Sequence, residues 1–346
     1  MGSLSEGPRA RRAVVRLATL TAAIASLVVL SACGGAKVGG GGSSKAAGSA
    51  AGRGTSSAAP VKKSCGTVSL ADNPWVGYEA DVAVMAYLAK TKLHCNVQIK
   101  HITEQVSWQG FASGQVDAIL ENWGHPDLVQ KYIDQQHVAQ DLGWNGLNGV
   151  IGWYVPPWMV QKYPDITNWK NLDKYASLFK TSESGGKGQL LDGDPSYVTN
   201  DAALVKNLHL NFKVVEGGSE TALIQSFRSA QQNKKPLLAY FYSPQWFLNE
   251  VPLVKVNLPT YTAGCDSKPS KVACDYPAYK LNKVVSTKFA NSGSPAFQLI
   301  KNFKWTNEGQ NTVSKMIAVN KMSDDAAAKK YVDANPTIVQ QWLQGT

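Results

Sequence analysis

The sequence predicts an α/β fold of two lobes with a cleft between them, on three observations. From Cys65 onward, short alternating apolar runs exchange with stretches of helical apolar period, the pattern of a sheet flanked by helices. One such set, reaching to about residue 150, is interrupted by a second and completed only by the C-terminal segment from Lys280, so the chain leaves one unit and returns to it. The length of 346 residues suits two or three compact units, and no internal repeat points to a solenoid.

Taken in order, the first element is an address. Arg9, Arg11, Arg12 and Arg16 precede an uncharged stretch from Leu17 to Leu30, followed by Leu30-Ser31-Ala32-Cys33. A positive start, an apolar run too short for an ordinary membrane span and a small-residue cleavage site predict a secretory signal peptide over residues 1–32. The four residues ending in Cys33 resemble a bacterial lipobox, which implies cleavage before Cys33, lipidation of that residue and anchoring on the outer face of the cytoplasmic membrane. Residues 33–63 are then mostly Gly, Ser, Ala and Thr with five scattered cations and no aromatic residue. Such a segment buries too little apolar surface to offset its ordering entropy, so it is expected to be a flexible linker with a reach of roughly 30 Å.

The first lobe is expected to begin with strand Gly66–Leu70, helix Tyr78–Lys92, strand Asn96–His101, helix Val106–Gly114 and strand Asp117–Leu120. Val82, Met85, Ala86 and Ala89 recur at helical spacing, whereas Val97 and Ile99 alternate as in a strand. A strand at Gly149–Val155 opens the second set. Helical pieces near Trp158–Tyr163 and Tyr175–Phe179, a strand and turn over Gln189–Pro195 and a helix at Asn200–Leu208 follow. Strand Lys213–Val215, helix Glu220–Gln232 and strand Pro236–Tyr242 complete it. After Lys280 a strand leads to helices at Pro295–Phe303, Asn307–Asn320 and Asp324–Asn335. The lobes are accordingly assigned as residues 64–150 with 263–346, and residues 151–262. In such sheets ligands sit at the carboxyl ends of the strands.

With Cys33 given to lipid, Cys65, Cys95, Cys265 and Cys274 remain, an even number outside the cytosol, where disulfides persist. Three pairings exist. Cys65 with Cys95 is favoured because each begins an expected strand and a helix separates them; Cys265 with Cys274 then closes a short loop. No Cys-x2-Cys pair exists, which argues against zinc.

The net charge of +10 is unevenly placed: +3 in residues 1–32, +5 in residues 34–63 and only +2 in residues 64–346. A nearly neutral folded part and an export signal exclude a nucleic-acid binder. Enzymes with the common signatures are also excluded, since Gly-x-Ser-x-Gly, His-Glu-x-x-His and a Walker-type loop are absent and the five His show no metal-ligand spacing. No cofactor is expected.

All ten Trp lie beyond residue 64. Trp75 follows the first strand and Trp123 the third, in Glu121-Asn122-Trp123-Gly124-His125-Pro126. Tyr197 lies in the turn Gly193-Asp194-Pro195-Ser196-Tyr197, and Tyr242 ends a strand before Ser243-Pro244-Gln245-Trp246. Four rings at strand-to-helix loops, two from each lobe, can box a permanent cation between their π-faces. Stacking on a sugar is the rival use of such rings. Glu121 and Asp194 are close enough in sequence to add negative potential, and His125 lies beside the expected cage. Backbone N–H groups at the helix start near Tyr78 and Glu79 are expected to receive a ligand carboxylate.

The run Val76-Gly-Tyr-Glu-Ala-Asp-Val-Ala83, then Trp108 to Asp117 and Glu121 to Pro126, resembles the N-terminal lobe of ABC-transporter binding proteins for glycine betaine, proline betaine and choline. Gly152 to Pro156, Gly193-Asp-Pro195, Gly217 to Glu220 and Tyr242 to Trp246 resemble the other lobe. The resemblance implies a two-lobed periplasmic-binding-protein-like fold of type II, and a monomer that captures a quaternary ammonium ligand, closes, and docks on a permease with an ATPase partner. By position it makes Trp123, Tyr197 and Tyr242 cage residues, and Trp75 the extra Trp of choline-type members. Gln245 stands where many members have a His that contacts a carboxylate; Gln can still donate, but without charge. Hinges are expected near residues 151–156 and 250–262.

Overall fold

One sheet carries every strand among the described residues, 64–346, of this computed structural model. The expected signal peptide, Cys33 and the linker lie outside the described residues. The strands are β1 (Thr67–Asp72), β2 (Asn96–His101), β3 (Ala118–Asn122), β4 (Ala139–Val155), β5 (Gly188–Asp192), β6 (Phe212–Glu216), β7 (Ala239–Ser243), β8 (Val254–Lys255) and β9 (Ala278–Ser286). Their order is β2-β1-β3-β9-β4-β7-β5-β6, with β8 paired to β4. Three parallel strands, β2-β1-β3, stand at one end and three more, β7-β5-β6, at the other. Between them run β9 and β4, antiparallel to each other and to their outer neighbours. The expected α/β architecture is present, and both parallel sets have the crossover helices that parallel pairing requires.

β4 is longer than the sequence indicates. Its first part pairs with β9 and its last residues, Val150–Tyr154, pair with β7. The stretch Gly143-Trp-Asn-Gly146 supplies register shifts inside this strand, with Gly143 at φ +77° and Gly146 at φ +99°.

Helix α1 (Val76–Leu93) is apolar on nearly every side and is buried accordingly, from Tyr78 and Val84 to Leu88. It ends where His94 turns left-handed and its N–H closes on the Ala89 carbonyl. Helix Glu220–Gln232 starts where Ser219 accepts the Ala222 N–H and buries Leu223, Ile224 and Phe227 at helical spacing. The C-terminal helices Pro295–Asn302, Asn307–Ala318 and Asp324–Ala334 are capped by Ser294, Thr306 and Ser323. A further helix, Pro336–Trp342, not expected from the sequence, follows with proline as its first residue, where its missing N–H costs nothing.

Cys65 is bonded to Cys95, tying the chain ahead of β1 to the start of β2, and Cys265 is bonded to Cys274. The segment carrying the second bond packs on the middle of the chain: Asn207 Nδ2 donates to the Ser270 and Val272 carbonyls, and the Tyr276 hydroxyl donates to Asp201.

Candidate functional site

Two indoles leave the carboxyl ends of β1 and β3 and meet at one oxygen. Oε1 of Glu121, inside β3, accepts the Trp75 Nε1–H at 2.8 Å and the Trp123 Nε1–H at 2.7 Å. Gln310 donates to the other carboxylate oxygen and, at 3.2 Å, to Asp81 on α1. Glu121 is 1% exposed. Burial pushes its carboxyl above the usual range, while Asp81, the two indoles and Gln310 push it back. The Asp81 carboxyl is likewise driven up, by burial and then by the Glu121 charge. Trp123 also needs Gly149 beneath it, because a Cβ there would lie 2.5 Å from the indole Cζ3.

The other half of the chain builds its wall from tyrosines. Tyr197 folds back over Gly193, where a Cβ would lie 2.5 Å from the ring. Tyr240 and Tyr242 share one face of β7, as period two dictates. Behind them Glu220, at the first turn of its helix, accepts the Tyr242 hydroxyl and, at 3.0 Å, the Gln245 side-chain amide through Oε1. Its Oε2 accepts the Val76 N–H at 3.0 Å, from the first residue of α1. That bond and one from the Tyr197 hydroxyl to the Pro74 carbonyl, 3.1 Å, join the two halves. Burial raises the Glu220 carboxyl, and these three donors oppose the rise.

The rings close on one another as edges and faces. Trp75 lies 5.8 Å from Tyr197, Trp123 5.9 Å from Tyr242 and 5.6 Å from Tyr279, and Tyr197 6.1 Å from Tyr240. They wall a cavity of about 540 Å³. Its charged lining is acidic: Glu104, Asp127 and Asp266, with His125 as its one basic side chain and no Lys or Arg among the described residues. His125 is buried and its Nε2 lies 2.8 Å from Glu104 Oε1. Burial opposes its protonation, but the Glu104 charge and hydrogen bond, with Asp127, raise its pKa overall. Rings backed by carboxylates and bare of fixed cations can hold a desolvated cation by its faces.

Of the residues singled out from sequence, Trp75, Trp123, Tyr197 and Tyr242 meet at this cavity. Gln245, Tyr78 and Glu79 do not line it. Gln245 is spent on its neighbours, its amide on Glu220 and its oxygen on the Phe247 N–H. Tyr78 lies beneath Trp75 with its hydroxyl accepting the Leu120 N–H. Glu79 faces a second cleft, and burial lifts its carboxyl to about 7. The α1 start does receive a carboxylate, but it is that of Glu220. Asp194 holds its own turn through Ser196. Tyr240, Tyr276 and Tyr279 line the cavity without having been foreseen. Alternation along β7 is a signal for Tyr240; Tyr279 arrives through the pairing of β9 with β4, opposite Gly149, which no local pattern reports. Among the described residues no group of three or more His, Cys, Asp or Glu is placed to hold a metal.

Comparison with known proteins gives concordant results. The family model described as the substrate binding domain of ABC-type glycine betaine transport system matches residues 66–334. The trimethylamine N-oxide-binding protein of Pelagibacter ubique is 26% identical over 196 residues, 53% of this chain and 60% of that protein. The glycine betaine/carnitine transport binding protein of Listeria monocytogenes is 26% identical over 180 residues, 51% of this chain and 52% of its own length. The chain thus spans less than two thirds of these curated relatives. Among solved structures, a choline-binding protein of an ABC transporter in complex with choline superposes with TM-score 0.67 at 16% identity, over 82% of this chain and 93% of that one. Lactococcal OpuAC, closed on glycine betaine, gives TM-score 0.61 at 21% identity, over 80% and 99%. At such identities these structures speak for the fold, a two-lobed binding-protein fold.

Proposed function

Because the chain belongs to the family of substrate-binding domains of ABC-type glycine betaine transport systems, we propose that it is the extracytoplasmic binding component of an ABC importer. It captures glycine betaine or a related quaternary ammonium compound and delivers it to a membrane permease driven by an ATPase, in a role such as osmoprotection. The observation that carries this reading is the cavity of about 540 Å³ walled by Trp and Tyr faces, with a buried carboxylate behind each half. A methylated ammonium donates no hydrogen bonds, so ring quadrupoles are what remain to replace its water.

In this reading Trp75, Trp123, Tyr197 and Tyr242 hold the cation, with Tyr240 and Tyr279 added. Lobe 1 comprises residues 64–150 and 263–346, lobe 2 residues 151–262. The stretch 263–277 rides on lobe 2 through Asn207 and Tyr276. Because 263–277 is held to lobe 2, closure about residues 151–156 and the return into β9 after residue 277, rather than 250–262, brings the tyrosines onto the tryptophans. The protein acts as a monomer, exported by the signal in residues 1–32, lipidated at Cys33 and tethered by residues 33–63.

Calorimetry of the full chain in detergent against a panel of trimethylammonium compounds tests the reading. A saturable heat at one site per chain is expected, with no response to neutral sugars. A panel without any binding, or binding of sugars instead, removes it.

A further inference from the structure

A cage for the cationic head leaves open what meets the other end of the ligand, and several observations bear on that end. A helix start is the natural seat for an anion. At α1 the first N–H, that of Val76, is already engaged by Glu220 Oε2. The side chain of Gln245, a neutral donor close by, is committed at both ends to Glu220 and Phe247. Within the cavity the charged lining is Glu104, Asp127 and Asp266, and the single basic side chain, His125, is turned to Glu104. Tyr240 and Tyr279 also line the cavity, and among the described residues neither hydroxyl has a hydrogen-bond partner.

Resting on the cation-cage reading, we propose that Glu220 occupies the place of a ligand carboxylate, so that the site selects trimethylammonium compounds whose other end is an uncharged hydroxyl over zwitterions ending in a carboxylate. The chain supplies its own anion to bridge α1 and Tyr242, and closing the two halves asks none of the ligand. A second carboxylate brought in by a zwitterion meets three acids and no free cation, which is repulsion built against the wrong partner. A hydroxyl instead finds the uncommitted Tyr240 and Tyr279 groups, which can donate or accept.

The test is competition calorimetry of the full chain with choline, glycine betaine and tetramethylammonium. Choline is expected to bind at least about tenfold tighter than glycine betaine, a margin that one uncompensated charge readily supplies. Tetramethylammonium, a bare head, is expected to retain measurable binding. Glycine betaine as the tightest ligand overturns this inference and leaves the cage intact, whereas binding of none of the three overturns the cage itself. In Glu220→Gln the choline preference is expected to shrink by about tenfold, because the anion at the α1 start is gone. A folded variant with an unchanged preference overturns the role given to Glu220. Should that variant not fold, the wild-type preference decides alone.

Discussion

Each half of the cavity wall is organised by one buried glutamate, and the two differ in where their donors originate. Glu121 draws on Trp75, Trp123 and Gln310, all from the same end of the sheet. Glu220 draws on Tyr242 and Gln245 from its own side but on Val76 from the other. The first network is complete without the second half; the second is complete only when the halves meet. On the proposed closure, one wall is a preformed platform that fixes two indole faces and the other is assembled as the halves meet. Preorganised faces lose little entropy on binding, whereas the assembled wall couples ligand capture to shape.

Breaking the platform carries the largest expected effect. Glu121→Ala strands two indole N–H groups and the Gln310 amide in a dry interior, at about 1–3 kcal/mol for each donor left unpaired. A fall in the thermal midpoint by well over 5 °C is expected, since 1 kcal/mol moves the midpoint by about 2–4 °C in a domain of this size, together with loss of ligand binding. Retained stability and affinity would show that the two indoles are held by packing alone.

Breaking the assembled wall has a smaller effect of a different kind. Val76→Pro removes the N–H that Glu220 accepts, at the first helical position, where proline is at home, and replaces the buried valine side chain by a ring of similar size. Trp75, the residue before it, already has φ −143° and ψ 146°, in the region a following proline demands. A hydrogen bond to a charged group is worth about 1.5–3 kcal/mol. The loss is expected in ligand affinity, read by calorimetry, with the thermal midpoint of the ligand-free chain nearly unchanged. An equal loss of ligand-free stability would mean that the halves are bonded at rest, and would erase the distinction between the two walls.

This asymmetry explains what was legible in the sequence. Trp75, Trp123, Tyr197 and Tyr242 stand at strand ends next to turn residues, so local pattern places them at the mouth of a sheet. Helix Glu220–Gln232 was readable to its ends, because its Ser219 cap and its apolar spacing are both local. Tyr279 depends on the register of β9 against β4, fixed by residues far apart in the chain. The α1 start reads as a seat for a ligand carboxylate near Tyr78 and Glu79, whereas the carboxylate bonded there, at Val76, is that of Glu220, 144 residues away. Gly149 signals nothing locally, although Trp123 cannot lie where it does without it.

The smallest expected effect separates the two cross-connections. The Tyr197 hydroxyl donates to the Pro74 carbonyl at 3.1 Å, with the ring itself standing 5.8 Å from Trp75. Tyr197→Phe keeps the aromatic face and removes one neutral hydrogen bond at a partly exposed position, worth about 0.5–1 kcal/mol. Because the Pro74 carbonyl can turn to water when the bond is gone, the low end of that range is expected, a twofold to threefold weakening of ligand binding. On the proposed closure this bond forms only as the walls meet, so the on-rate, set by the platform, should stay constant while dissociation quickens. Stopped-flow tryptophan fluorescence separates the two rates. A slower on-rate with unchanged dissociation would place Tyr197 on the platform side, making closure precede rather than follow its contact with Trp75.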